Sequence, residues 1–193
     1  MSDTQAGSKL NLAINGFGRI GRSFLRAALE DREFLQLFNI VAINDTADAK
    51  TLVHLFKYDS TFGKFEGKVI ASNHSIQVDG IDIRVLQDMD PSALRLKEMR
   101  IDLVLESTGK FKETKEAQKH IQAGARKVII SAPAKGPDAT LLVGINDGMA
   151  LRVPVTNGSI AEMAMTLKKD VTIDEVNIAL KEASEEELKG VME

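Results

Sequence analysis

Gly16, Gly18 and Gly21 fall in Gly-x-Gly-x-x-Gly spacing within the stretch Ile14 to Arg22. That spacing suits a tight strand-to-helix turn wrapped around a pyrophosphate. The first glycine permits the turn, the second lets phosphate approach the backbone, and the third lets the helix pack hard on the strand. The helix then aims its free N–H groups and positive dipole end at the phosphates. Asp45 closes the next apolar run, a little beyond the usual distance of about 20 residues from the last glycine. A carboxylate there accepts hydrogen bonds from both ribose hydroxyls and repels a 2′-phosphate, so the expected cofactor is NAD and not NADP. Ser107, Thr108 and Gly109 in "ESTG", and Ser131 in "SAP", follow two more apolar runs. In open α/β sheets ligands bind beyond the carboxyl ends of strands, where these hydroxyls would face a cofactor. Simple capping or turn formation by Ser and Thr explains them equally well.

Other chemistries lack their residues. The chain has no Cys, hence no thiolate nucleophile, disulfide or Cys-based metal site. His54, His74 and His120 are scattered, and no metal site is expected from their spacing. A net charge of −3 gives no electrostatic reason to expect a nucleic-acid or membrane partner. No apolar run approaches the roughly 18 residues of a membrane span. The leader "MSDTQAGSK" lacks the apolar core of a secretory signal. The expected location is the cytoplasm.

The elements that must position these residues can be read from four short apolar runs: Asn11 to Ile14, Asn39 to Asn44, Ile101 to Thr108 and Lys127 to Ala132. They are continuous more than alternating, as in strands buried on both faces of a parallel sheet. Helical stripes lie between them: Ile20, Phe24 and Ala28 with Leu25 and Leu29, then Ala117, Ile121 and Ala125 in a helix predicted over Lys112 to Ala125, with Gly124 near its end. Strand and helix alternation predicts βαβ units. Between Gly67 and Asp88 short β-branched runs are broken by Asp79-Gly80, a hairpin signal, and a small antiparallel excursion is predicted there. A helix is predicted to start at Pro91 with Asp90 as its N-cap. With 44% hydrophobic but only 5% aromatic residues, the core must rest on aliphatic side chains.

From about Asp147 the texture changes. Two strands around Thr156-Asn157-Gly158 and a helix with Thr172 and Glu175 in capping-box spacing are expected. So small a unit carries a thin core. The expected organisation is a doubly wound, mostly parallel α/β domain over 9–147 and a short α+β remnant over 148–193.

"INGFGRIGR", "AINDTADAKTLVHLFKYDSTFGKF", "ESTGKF" and "GARKVIISAPAK" together resemble the cofactor domain of phosphorylating, NAD-dependent glyceraldehyde-3-phosphate dehydrogenases. The resemblance covers Lys9 to Asn146. It implies a Rossmann fold and NAD contacts at Arg19 and Ile20 in the turn, at Asp45, and at Thr108 and Ser131. The family often carries Arg where this chain has Met89, which leaves only a backbone contact to the adenine end. Resemblance resumes at Gly148, in a later segment of the family's catalytic domain. Between the two, the family has roughly 150 residues, far beyond ordinary loop variation, that hold its nucleophilic Cys and catalytic His. This chain has only Asp147 there. The resemblance therefore implies NAD binding without the covalent route to oxidation, and no catalytic residue is assigned. The three His residues match positions the family does not use for catalysis. As partners it implies NAD itself, together with self-association or association with full-length family subunits; the rival reading is a non-catalytic interaction protein.

Overall fold

The structure, a computed structural model, describes residues 9–138, 149–151 and 160–162. The chain runs β1 (Leu10–Asn15), α1 (Arg19–Glu30), α2 (Arg32–Leu37), β2 (Phe38–Asn44), α3 (Ala49–Lys57) and a small hairpin of β3 (Tyr58–Asp59) and β4 (Gly63–Lys64). It continues through β5 (Val69–Ala71), β6 (Ser75–Val78), β7 (Ile81–Leu86), a 3-10 turn at Pro91–Ala93, β8 (Leu103–Glu106), α4 (Thr114–Gln122) and β9 (Lys127–Ile130). Beyond these lie β10 (Met149–Leu151) and β11 (Ile160–Glu162), which pair antiparallel.

Seven strands form one sheet in the order β5-β6-β7-β2-β1-β8-β9. Strands β7, β2, β1, β8 and β9 are mutually parallel. This is the expected doubly wound sheet: the chain leaves β1 for β2 on one side and later returns to pair β8 on the other. The place where the winding reverses lies at the carboxyl end of β1, where a crevice opens.

Side chains of the central strands divide between the two faces. Leu12 and Ile14 of β1, Ile40 and Ile43 of β2 and Leu105 of β8 join one core with Leu25, Ala28, Leu52 and Phe56 from α1 and α3. Ala13, Ala42 and Val104 face the other core, with Leu94, Leu96, Ile101 and Ala125. The β1–β2 register shifts between Leu12 and Ala13, which lets Ile40 and Ile43, three apart, share a face.

Three details differ from expectation, while the predicted antiparallel segment forms and its last strand, β7, also pairs in parallel with β2, which fuses the hairpin to the main sheet. Its Asp79-Gly80 turn is as predicted, with positive φ at both residues. The helix predicted after Asp90 is a single 3-10 turn, with Asp90 accepting from the Ser92 N–H. Leu94 and Leu96 both bury into the second core, and a two-residue spacing cannot be met on one helix face. The α1 stripe is centred on Gly21, Leu25 and Ala28, leaving Ile20 45% exposed. The α4 stripe is Ala117 and His120. Its helix ends at Gln122, so Ala125 packs from the following loop and Ile121 faces outward. The predicted turn at Thr156 to Gly158 and the helix near Thr172 lie outside the described residues.

Candidate functional site

The crevice is lined by Asn15, Gly16, Gly18, Asn44, Asp45, Thr46, Asp88, Met89, Ser107, Thr108, Lys110 and Phe111. These residues come from the carboxyl ends of β1, β2, β7 and β8, the place that sheet topology selects for a ligand.

The glycine turn is built from three different constraints. Gly16 has φ +92°, and a Cβ on it would lie 2.6 Å from the Thr108 nitrogen and 2.8 Å from the Ser107 carbonyl carbon. The turn and the β8 loop therefore touch backbone to backbone. A Cβ on Gly21 would strike the Gly16 carbonyl oxygen, so α1 and its own entry turn are in van der Waals contact. A Cβ on Gly18 would meet nothing within 4 Å. Packing does not demand a glycine at this N-cap of α1, and the space beside it opens on the crevice. The Gly18 N-cap supplies no side chain to the first-turn N–H groups. This combination fits a pyrophosphate: uncapped donors, a positive helix end and no side chain in the way.

Asp45 reaches the same turn from β2. One carboxylate oxygen accepts from the Phe17 N–H at 2.7 Å, and the other from the Ala47 N–H at 3.1 Å. The residue predicted as a ribose acceptor thus also fastens the glycine turn to the end of β2. Ser107 and Thr108 bend their hydroxyls inward. The Ser107 Oγ donates to the Gly16 carbonyl at 2.6 Å. The Thr108 Oγ1 donates to a Glu106 oxygen and accepts from the Lys110 N–H. Ser131 Oγ donates to the Glu106 carbonyl at 3.0 Å. Of the residues named from sequence, Gly16, Gly18, Asp45, Met89, Ser107 and Thr108 line the crevice. Arg19, Ile20, Gly21, Gly109 and Ser131 do not line it, although Arg19, Ile20 and Gly21 form the first turn of α1 at its edge. Met89 is 77% exposed.

In and beneath the crevice floor lies a buried polar cluster that no sequence pattern joins together. Asn15, Asn44, Glu106 and His120 are all at most 7% exposed. Glu106 accepts from Asn15 Nδ2 at 2.5 Å and from His120 Nε2 at 3.0 Å on one oxygen, and from the Thr108 N–H at 2.9 Å on the other. Asn44 Nδ2 donates to Asn15 Oδ1 at 2.7 Å, and Asn44 also pairs with the backbone of Asp88. A signal was present in the sequence: two buried strands each end in "AIN", and a third apolar run carries Glu106 near its end. A polar residue at the carboxyl end of a buried strand must find partners.

Burial alone would raise the carboxyl of Glu106, but hydrogen bonds from His120, Thr108 and Asn15 outweigh it and hold it below its ordinary value. The sign follows for stability. A depressed carboxyl stabilises the fold above the unfolded carboxylate range, near about pH 4.3. That contribution is lost as pH falls through the lower folded value. Asp59 adds the same sense, held low by the Phe62 and Thr61 N–H groups. Thermal unfolding followed from neutral pH downward is expected to show a steep loss below about pH 4. The loss should be shallower in Glu106→Gln, whose side chain does not titrate.

Two family descriptions match this chain. "Glyceraldehyde 3-phosphate dehydrogenase, NAD binding domain" covers residues 10–114, and "Glyceraldehyde 3-phosphate dehydrogenase, C-terminal domain" covers 92–193. Each spans more than half of the chain. The chain belongs to the glyceraldehyde-3-phosphate dehydrogenase family. The dehydrogenase of Geobacillus stearothermophilus is 32% identical over 275 residues, covering 95% of this chain and 81% of the relative. That of Thermotoga maritima is 51% identical over 136 residues, 70% of this chain and 40% of its own length. The chloroplastic dehydrogenase A of Chlamydomonas reinhardtii is 50% identical over 148 residues, 76% of this chain and 39% of its own length.

These figures correct the size of the internal difference from the family. An alignment of 275 residues that uses 95% of a 193-residue chain leaves about 90 residues of the relative without a counterpart. That is fewer than the roughly 150 expected, yet still far beyond loop-length variation of a few residues. The family's NAD-binding region is the part whose strands form the crevice. No helix among the described residues is long and apolar enough to cross a membrane.

Proposed function

We propose that this chain binds NAD in the crevice between β1, β2 and β8 and does not itself carry out the family's oxidation of glyceraldehyde 3-phosphate. The observation that carries the first half is Gly18: a turn glycine that no packing explains, beside uncapped N–H groups. The first turn of α1, Arg19 to Gly21, would hold the pyrophosphate. Asp45 would hold the adenosine ribose, with Met89 near the adenine end. Thr108, Gly109 and Ser131 fall on the nicotinamide side. When bound, NAD supplies a hydride acceptor. In this reading residues 9–147 are the cofactor domain and 148–193 a remnant of the catalytic domain.

The second half rests on composition. The family's route needs a thiolate, and this chain contains no Cys. A Ser hydroxyl is a weak substitute without a positioned base. Ser107 and Ser131 are each committed to a backbone carbonyl, and His120 sits beneath the crevice against Glu106.

Calorimetric titration with NAD and NADP tests the binding. NAD should bind at sub-millimolar concentration, with NADP about tenfold weaker because its 2′-phosphate meets Asp45. No heat at millimolar NAD would sink the reading. Asp45→Ala should erase the discrimination and weaken NAD, since the Phe17 anchor is lost along with the ribose acceptor. Turnover of glyceraldehyde 3-phosphate with NAD and phosphate should stay at background.

A second reading, association with full-length subunits, has its own support. Strands β10 and β11 form a sheet with no third strand among the described residues. Two-stranded sheets are marginal alone and accept a further strand. Native mass spectrometry of this chain mixed with a full-length family member would show a mixed oligomer if this holds, and only separate species if it does not.

A further inference from the structure

We propose that Glu106 is a positioning residue of the dinucleotide crevice, with His120 as the donor that keeps its carboxylate in place. The inference rests on the NAD-binding reading of that crevice.

Four hydrogen-bond donors converge on one side chain. The Thr108 N–H and Thr108 Oγ1 point at one Glu106 oxygen, while Asn15 Nδ2 and His120 Nε2 point at the other. Two donors at each oxygen call for an ionised carboxylate, since a protonated one would turn its own O–H against a donor. An amide of the same shape offers one accepting end and one donating end, so it must turn a donor against a donor on one side. The requirement for Glu is therefore chemical as well as steric.

What the carboxylate holds is the crevice wall. Thr108 carries the loop whose backbone abuts Gly16. Asn15 passes the constraint to Asn44, which grips the backbone of Asp88 beside Met89. One buried group thus sets the spacing of the β1, β2, β7 and β8 ends. Neither Glu106 nor His120 lines the crevice itself.

His120 is fully buried, and its ring packs edge-on to Phe111, a lining residue, at 6.4 Å between centroids. Its Nδ1 has no hydrogen-bond partner among the described residues. The tautomer with the hydrogen on Nε2 is the one that gives Glu106 its donor and leaves no donor unpaired at Nδ1. Had Nε2 been the bare nitrogen, a lone pair would face the carboxylate.

The test uses the full chain, labelled with 15N. Long-range proton–nitrogen spectra of the wild type should show one histidine with a proton on Nε2 protected from exchange, distinct from the exposed His54 and His74. NAD is then titrated into the wild type, Glu106→Gln, His120→Gln and His120→Leu, each checked for a cooperative thermal transition. Folded Glu106→Gln should bind NAD about tenfold more weakly or worse. His120→Gln, whose amide still donates to Glu106, should bind within about threefold of wild type, and His120→Leu should fall with Glu106→Gln. Folded Glu106→Gln binding as tightly as wild type overturns the proposal. If Glu106→Gln does not fold, the histidine pair decides: equal NAD affinity in His120→Gln and His120→Leu overturns it. Failure of the wild type to bind NAD, with the resonance intact, overturns the cofactor reading and removes this one with it. Binding with no protected Nε2 proton overturns this one alone.

Discussion

Gly16→Ala is expected to destabilise the fold by about 2–6 kcal/mol and to abolish dinucleotide binding. Two independent costs add. A non-glycine residue held in a sparsely populated backbone region costs about 1–3 kcal/mol, and Gly16 sits at φ +92°. The new methyl would also overlap the Ser107–Thr108 backbone, at 2.6–2.8 Å from its atoms. Backbone cannot step aside as a side-chain tip can, and overpacking of this sort costs typically about 1–3 kcal/mol. Gly18→Ala separates the two roles of the turn. Its methyl meets nothing, and its backbone lies in an extended conformation open to alanine. Stability should change by less than about 1 kcal/mol, mostly the weaker N-cap, while dinucleotide affinity drops. Thermal melts and calorimetry on the two variants side by side check this. Equal loss of stability in both would show the steric account to be wrong.

Glu106→Leu is the second large effect. It removes the acceptor for four donors in one step. Breaking a buried charged network by deleting one partner costs about 3–5 kcal/mol, and each donor left unpaired carries its own desolvation penalty. The melting temperature should fall by roughly 10 °C or more in a chain of this size. The double variant Glu106→Leu with His120→Leu should recover part of the loss, because one stranded donor disappears with its partner. A drop of only a degree or two in the single variant would mean that water satisfies the cluster.

Much of the fold was legible because buried parallel strands leave a strong mark. The apolar runs Asn11 to Ile14, Asn39 to Asn44, Ile101 to Thr108 and Lys127 to Ala132 mark β1, β2, β8 and β9, and the glycine spacing located the first turn. Boundaries between helix faces were harder. Ile20 and Ile121 look like core positions by spacing, yet both face outward, because Gly21 and His120 take the contact positions instead. A glycine and a histidine carry little hydrophobic signal, so a pattern of apolar residues cannot see them. The 3-10 turn after Asp90 was missed for a related reason: Leu94 and Leu96 are anchored by a neighbouring layer and not by local helical preference.

Site legibility divided in the same way. The backbone-forming members, Gly16, Gly18 and Asp45, have sequence signatures because geometry restricts them to one residue type. Asn15, Asn44 and Glu106 stand inside quoted motifs, but nothing in those motifs joins them to one another or to His120. They are joined by pairings across the sheet, such as Asn15 with Glu106, that only the folded chain creates.

The placement of β1 has a consequence for the birth of the molecule. Its neighbour β2 follows closely, but its other neighbour is β8, in register Leu12 with Leu103. A chain leaving the ribosome makes β1 first and must wait for most of the domain before that flank is covered. Until then an apolar strand at the heart of the future sheet has one open edge. Such an edge is a template for wrong pairing. The hairpin of β6 and β7, by contrast, is complete as soon as its own turn emerges. Assembly is therefore expected to begin at the periphery and to finish at the centre, with the ligand crevice the last part to exist.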